Sequence, residues 1–270
     1  PTNKGEDLVE SFYKRKEQAK DSVIDYKFHA CLKNPKNEVI PITVKMNHLG
    51  LNTVKIFTTY SDSNRRTYDQ EIIELLKHST INDYMVTAHI ENDTLIETND
   101  EDSYRELPLN RPTISETSEA IKLARYARET KGNLYMVHCS SGETIHHLKH
   151  EFKDILNKNF IIESCPHYFT FTNQELEKKD GYLYTLAPPL RTASEVQLLR
   201  ENIDEAIEHK KQTGGHAVLR RLNKVEYQNT MTDLLGVKQD YSKELPPDSL
   251  SPDGFKNRGE TLKMSPLQLE

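Results

Sequence analysis

Three side chains with metal-binding or nucleophilic chemistry interrupt otherwise apolar runs. They are Lys55 in Thr53-Val54-Lys55-Ile56-Phe57, His89 in Met85-Val86-Thr87-Ala88-His89, and His138 in Leu134-Tyr135-Met136-Val137-His138. Burying an ammonium costs on the order of several kcal/mol unless something compensates it. One compensation is loss of the charge: the neutral amine takes up carbon dioxide, and the resulting carbamate binds a metal as a carboxylate would. Imidazole suits zinc and related divalent ions. Each residue also has a plainer reading, the histidines as satisfied core groups and the lysine on a solvated strand face. Three such residues at equivalent places on consecutive strands point to a shared site.

The elements that must position them follow from periodicity. Short β-branched or aromatic runs predict strands over Val23–Ala30, Thr53–Thr58, Tyr84–Ile90, Asn133–Cys139 and Phe160–Cys165,. Between them, helices are predicted over Asp69–His78, Ser115–Thr130, Glu143–Leu156 and Glu195–Lys211, the second behind a Ser115-x-x-Ser118 start with Glu116 in its first turn,. Strand and helix in strict alternation imply βα units around a parallel sheet. A closed (β/α)8 TIM barrel needs eight strands, with the site at their C-terminal ends. The expected fold is therefore α/β, an incomplete TIM barrel of about five parallel strands over residues 1–211. The character changes at Gln212-Thr213-Gly214-Gly215, which reads as a linker. The remainder, 212–270, reads as a small mainly helical segment. One helix is expected over Leu219–Leu235, with Leu219, Leu222, Val225 and Leu234 buried and Gly236 ending it,.

Composition narrows the function classes. A net charge of −6 over 270 residues gives no electrostatic reason for a nucleic acid or anionic membrane partner,. No apolar run is long enough to span a bilayer. The polar start, Pro1 to Asp7, lacks a signal-peptide pattern, and three scattered cysteines, Cys31, Cys139 and Cys165, suit reduced thiols in a cytoplasmic setting,. Mean hydropathy of −0.75 predicts a modest core and many solvated helix faces. Cys139 and Cys165 are expected to pack as small apolar groups. His146 and His150 have metal-ligand spacing on one helix but no His-Glu-x-x-His arrangement, so they read as a solvated face. Gly142-Glu143 behind Ser140-Ser141 opens a helix, as an anion cradle or a plain cap. Arg220, Arg221 and Lys224 make a basic patch too small for nucleic acid.

The string Gly50-Leu51-Asn52-Thr53-Val54-Lys55-Ile56-Phe57-Thr58-Thr59-Tyr60 resembles the segment around the carboxylated lysine of the dihydropyrimidinase/hydantoinase-type cyclic amidohydrolases. His89-Ile90-Glu91-Asn92 and His138-Cys139-Ser140-Ser141 resemble two of that family's ligand segments. Glu163-Ser164-Cys165-Pro166-His167-Tyr168, Ala187-Pro188-Pro189-Leu190-Arg191 and Val23-Ile24-Asp25-Tyr26-Lys27-Phe28-His29 are similar to further motifs, in order, over roughly Pro1–Asp204. The resemblance implies that Lys55, His89 and His138 hold Zn²⁺ or another divalent metal. It also implies that Tyr60 stabilises the substrate oxyanion, that Ala187 contacts substrate through its main chain, and that the substrate is a small cyclic amide. The family's tendency to form tetramers implies a possible homo-oligomer. The sequence departs from the family in lacking His-x-His anywhere, and the match ends before the strand that supplies a metal-binding, proton-shuttling Asp. Residues from about His216 onward instead resemble a bacterial helical domain of unknown function associated with cytochrome-c-like proteins. Two function classes follow: a metal-dependent cyclic-amide hydrolase, or a catalytically incomplete fusion fragment acting as an oligomerising or interaction module.

Overall fold

Five short strands, β1 (Ala30–Cys31), β2 (Thr53–Phe57), β3 (Met85–His89), β4 (Leu134–Met136) and β5 (Phe160–Ile162), pair in parallel in the order β1-β2-β3-β4-β5. That order is singly wound, the order of an opened barrel and not of a doubly wound sheet with its reversed strand order. The computed structural model describes residues 7–36, 38–97, 103–212, 221–237, 239–250, 256 and 262. The chain divides into two compact units, Pro1–Ala19 with Lys27–His209, and Lys20–Tyr26 with Lys210–Glu270.

In the first unit the helices are α1 (Leu8–Gln18), α2 (Val39–His48), α3 (Asp69–Ser79), α4 (Leu107–Asn110), α5 (Thr113–Thr130), α6 (Gly142–Glu151) and α7 (Pro166–Thr170), with most of α8 (Ala193–Gln212). Their apolar stripes cover one face of the sheet. Met46 of α2, Ile72, Leu75 and Leu76 of α3, Leu123 and Ala127 of α5 and Leu148 of α6 pack with Val54, Ile56, Val86, Ala88, Leu134, Met136 and Phe160. The i, i+3, i+4 spacing in α3 places its three residues on one side. Each fully buried aliphatic side chain contributes about 1.5–3 kcal/mol. Tyr168, Leu190 and Leu199 form a second, smaller cluster between α7, the following loop and α8. No helix among the described residues is long and apolar enough to cross a membrane.

Several elements differ from the sequence reading. The strand expected over Val23–Ala30 is confined to Ala30–Cys31, where Ala30 comes into register with Val54. Val23 and Ile24 have no strand partner and are 77% and 73% exposed. Helix α5 starts at Thr113 behind Pro112, not at Ser115. Helix α6 ends at Glu151 instead of Leu156, because residues 152–158 turn back so that Leu156 bridges Phe160.

In the second unit, α9 (Lys224–Leu235) begins five residues later than expected. Asn223 caps it, and Glu226 returns the bond to complete a capping box,. Arg221 and Leu222 are therefore outside the helix. Leu222, Val225 and Leu234, expected to be buried, are exposed, and Leu219 lies outside the described residues. Gly236 ends α9 in the left-handed conformation, φ 66°, as its type favours,. Arg221 pairs with Asp248 at 2.9 Å, and Gln228 accepts from the Tyr241 and Ser242 amides.

Candidate metal centre

Strand register brings the chemistry-bearing residues to one region. Lys55 pairs with Thr87 and Thr87 with Tyr135, while Phe57 pairs with His89. Alternation then puts Lys55, Phe57, Thr87, His89 and Tyr135 on the face that the helices leave uncovered. Lys55 sits in the middle of β2, one side-chain step below His89. His138 lies two residues beyond Met136, so regular alternation would send it to the helix-covered side. The left-handed backbone at His138, φ 44°, breaks that alternation. Its imidazole consequently meets that of His89, with ring centroids 4.7 Å apart. Tyr60 is also left-handed, φ 70°. Two non-glycine residues in this conformation within one site represent stored strain, of order 1–3 kcal/mol each.

The contacts determine which nitrogen faces which. His89 Nε2 lies 2.6 Å from Glu91 Oε2, and His89 Nδ1 lies 3.1 Å from His138 Nε2. Arg111 forks onto Glu91, donating from Nε to Oε1 at 3.2 Å and from Nη2 to Oε2. Burial would raise the Glu91 carboxyl, but the His89 and Arg111 contacts outweigh it and hold it below its ordinary range. An ionised carboxylate only accepts, so His89 carries its proton on Nε2 and presents the Nδ1 lone pair towards His138. Arg111 Nη2 also donates to the Tyr60 hydroxyl at 3.4 Å, and the Tyr60 ring lies 5.2 Å from that of His89.

Burial lowers the basicity of the ligand candidates. His138 falls to about 3, through burial first and then the neighbouring His89 and Lys55 charges. Lys55 falls to about 8, through burial only partly offset by Cys31 and Glu163. Lys55 Nζ and His138 Nδ1 are both buried without a hydrogen-bond partner. Unpaired buried polar atoms are uncommon in native folds and ask for an explanation such as an ion.

A second carboxylate–guanidinium pair holds the loop that carries His138. Glu116, fully buried, accepts from the Ser140 and Ser141 amides at 3.1 Å each and from the Ser140 hydroxyl at 2.6 Å. Arg191 lies 3.8 Å from Glu116, donates to Ser140 Oγ at 2.9 Å, and reaches the Arg111 carbonyl at 2.7 Å. The two pairs are thus joined. Ser141 also caps α6, accepting from the Glu143 and Thr144 amides. Gly142 has no room for a side chain, since a Cβ there would stand 2.5 Å from the Leu199 amide nitrogen of α8.

These residues fit one divalent ion. Two nitrogens each about 2.0–2.1 Å from one zinc can stand as close as the 3.1 Å seen between His89 and His138,. Glu91 behind His89 supplies the carboxylate that metal-bound imidazoles characteristically lean on. Among the described residues no three His, Cys, Asp or Glu side chains converge on a metal position. Lys55, whose charge lowers the basicity of both imidazoles, is the sequence-predicted residue available as a third donor. Ala187 is exposed. His146 and His150 are solvated, with His150 Nδ1 donating to the His146 carbonyl one turn back at 3.0 Å. Cys139 is buried, as expected, but its thiol also contacts Glu116 at 3.4 Å.

Four buried charges around the centre were given no site role by the sequence, although Glu91 and Arg191 lie in two of the quoted motifs and Glu116 in a predicted helix start: Glu91, Arg111, Glu116 and Arg191. Glu91 had a usable signal, an acid two residues after a strand-end histidine. Glu116 resembled an ordinary first-turn acid, and Arg111 had no local signal at all.

Comparison with known proteins agrees with this architecture. The chain is 26% identical over 186 residues to D-phenylhydantoinase of Escherichia coli O9:H4 (strain HS), a match covering 66% of this chain and 39% of that protein. The chain thus spans well under half the length of the curated relatives it matches. Among solved structures it is similar to dihydropyrimidinase from Brevibacillus agri, with TM-score 0.69, 22% identity, and 76% of this chain covering 46% of that one. It is also similar to the L-hydantoinase (dihydropyrimidinase) from Arthrobacter aurescens, with TM-score 0.62, 18% identity, and 74% of this chain covering 45% of that one. The fold is accordingly α/β, part of a hydantoinase-type TIM barrel. Residues 220–270 match the family described as "PSD3: Protein of unknown function (DUF1587)".

Proposed function

We propose that this chain is a metal-dependent hydrolase of small cyclic amides, with residues 1–211 forming the catalytic part and 212–270 a separate helical segment. One observation supports the reading: His89 Nδ1 and His138 Nε2 face each other at 3.1 Å, with Glu91 behind His89 and the Lys55 amine buried without a hydrogen-bond partner. His89, His138 and Lys55, after the amine has taken up carbon dioxide, would hold Zn²⁺ or another divalent ion. Such an ion supplies a water acidic enough to attack a carbonyl near neutral pH. The chain's own part is positioning. Glu91 keeps the His89 lone pair aimed inward, and Tyr60 offers its hydroxyl to the carbonyl oxygen as negative charge develops. A donor of that kind is worth roughly 3–4 kcal/mol of transition-state stabilisation. The ring C–N bond breaks as the water oxygen bonds to the carbonyl carbon, and the leaving nitrogen takes the proton that the water gives up.

A second reading, a catalytically incomplete module that associates with other chains, draws support from the absence of a third His, Cys, Asp or Glu ligand among the described residues. It also draws support from the partly open face of the sheet. Metal analysis of the full chain prepared with zinc and bicarbonate, followed by hydantoin and dihydrouracil turnover, decides between them. Zinc that is lost in His89→Ala, together with turnover, supports the hydrolase. Bound zinc without turnover, with self-association in sedimentation, supports the module. No zinc and no turnover overturns the metal-centre reading.

A further inference from the structure

Arg111 occupies a position no other described side chain shares. Its guanidinium is nearly buried, forks onto both oxygens of Glu91, and reaches the Tyr60 hydroxyl at 3.4 Å. The same guanidinium lies over the Tyr60 ring, 5.2 Å from its centroid. Glu91 in turn accepts from His89 Nε2 at 2.6 Å. One side chain therefore touches the group that orients a candidate ligand and the group that would meet the substrate. We propose that Arg111 is a positioning residue, a clamp that sets the His89 imidazole through Glu91 and the Tyr60 phenol directly. The inference rests on the metal-centre reading above and deepens it.

The chemistry favours arginine at this position. A planar guanidinium satisfies two carboxylate oxygens at once, so Glu91 cannot rotate about its terminal bond without losing a hydrogen bond. An immobile Glu91 keeps one proton, on His89 Nε2, and one lone pair, on Nδ1, in place. The remaining Nη2 capacity holds the hydroxyl of Tyr60, whose backbone is left-handed. Arg111 is itself anchored, because its carbonyl accepts from Arg191 Nη1 at 2.7 Å and its amide donates to the Leu107 carbonyl at 3.0 Å. Lysine could supply the charge but not the fork.

The test is zinc affinity of the 270-residue chain by competition with a chromophoric chelator, read beside the urea unfolding midpoint of the zinc-free protein. Arg111→Lys keeps a cation against Glu91 and so keeps the fold. It is expected to weaken zinc binding about 10-fold, and Arg111→Gln 10–100-fold, the range seen when an outer partner of a metal ligand is removed. Zinc affinity within two-fold of wild type in both variants, with only the unfolding midpoint lowered, would make Arg111 merely structural and overturn the proposal. Long-range ¹⁵N–¹H spectra of the His89 ring in the unsubstituted protein give a readout independent of any variant. A proton on Nε2 is expected, and a proton on Nδ1 overturns the clamp. Zinc binding that survives both His89→Ala and His138→Ala would instead bring down the metal-centre reading, and this inference with it.

Discussion

On the helix-covered face of the sheet Val54, Ile56, Val86, Ala88, Leu134 and Phe160 are fully buried, whereas on the opposite face Lys55, Phe57, Tyr135 and Ile161 each keep part of their surface in solvent. The strand sequences record the division. Thr53-Val54-Lys55-Ile56-Phe57 alternates, whereas a parallel strand packed on both sides reads as continuously apolar,. The covered face holds the fold together by removing apolar area from water. The other face holds unpartnered polar atoms and strained backbone, features that cost stability and persist where the surrounding fold enforces them. Stability and candidate chemistry are therefore separable by the direction in which a side chain points from one and the same strand.

The sharpest way to break that comparison uses neighbours on β5. Phe160 is fully buried among the helices, and Ile161 points to the other face. Phe160→Ala is expected to destabilise the first unit by about 3–5 kcal/mol through lost transfer energy and a residual cavity. Ile161→Ala should cost under about 1.5 kcal/mol, because part of its surface is already in solvent,. Urea denaturation of both variants measures the two costs. Equal losses would mean that the open face is as well packed as the covered one, and the division would fail.

A smaller effect belongs to the open face alone and depends on pH. The folded protein holds His138 at about 3, against an ordinary value of 6.5. Below 6.5 the unfolded chain therefore binds a proton that the folded state refuses. Stability rises with pH across the window from about 3 to 6.5, and is lost as acid carries the pH down through it. Because the ring is only partly enclosed, the loss is expected to be about 2–4 kcal/mol. Thermal unfolding of chelator-treated protein between pH 7.5 and 4 should show this slope. His138→Asn should flatten it without touching the covered face. An unchanged slope in the variant would assign the acid sensitivity to groups other than this imidazole.

Legibility followed the same division. The helices covering the sheet were readable because apolar residues recur at helical spacing, and α3 matches its expected span to within a residue. Helix α2 was missed because Val39-Ile40-Pro41-Ile42-Thr43-Val44 is β-branched and carries a proline, and packing of Val39 and Met46 overrides that local preference,. The strand expected over Val23–Ala30 failed for the opposite reason, since β-branched composition makes a strand only where a neighbour pairs with it. At the centre, Lys55, His89 and His138 were legible as polar residues inside apolar runs. The turn that aims His138 was not, because a left-handed φ at a non-glycine residue leaves no mark in the sequence. The pairings of Arg111 and Arg191 were not legible either, since their partners lie 20 and 75 positions away, at Glu91 and Glu116.

The smallest expected effect carries the most information about Lys55. Its Nζ is buried without a hydrogen-bond partner, 5.1 Å from the centroid of the Phe57 ring, and burial draws its basicity down to about 8 from an ordinary 10.5. Below about 8 the folded state must hold a poorly solvated ammonium, a cost that disappears as the pH rises from about 8 to 10.5 and the folded amine loses its proton before the unfolded one does. Lys55→Met keeps the length of the side chain and removes the charge. It is therefore expected to stabilise the zinc-free protein at pH 7 by about 1 kcal/mol, the lower end for a buried polar group without a hydrogen-bond partner. That gain should fade above pH 8 in parallel urea titrations. The same substitution should abolish zinc binding, so that stability and ligand capacity move in opposite directions. A lysine retained at the expense of stability is what a site selected for chemistry requires. A Lys55→Met variant that is less stable than wild type at pH 7 would show instead that the amine is satisfied where it lies, and would remove the main reason for assigning it to a metal.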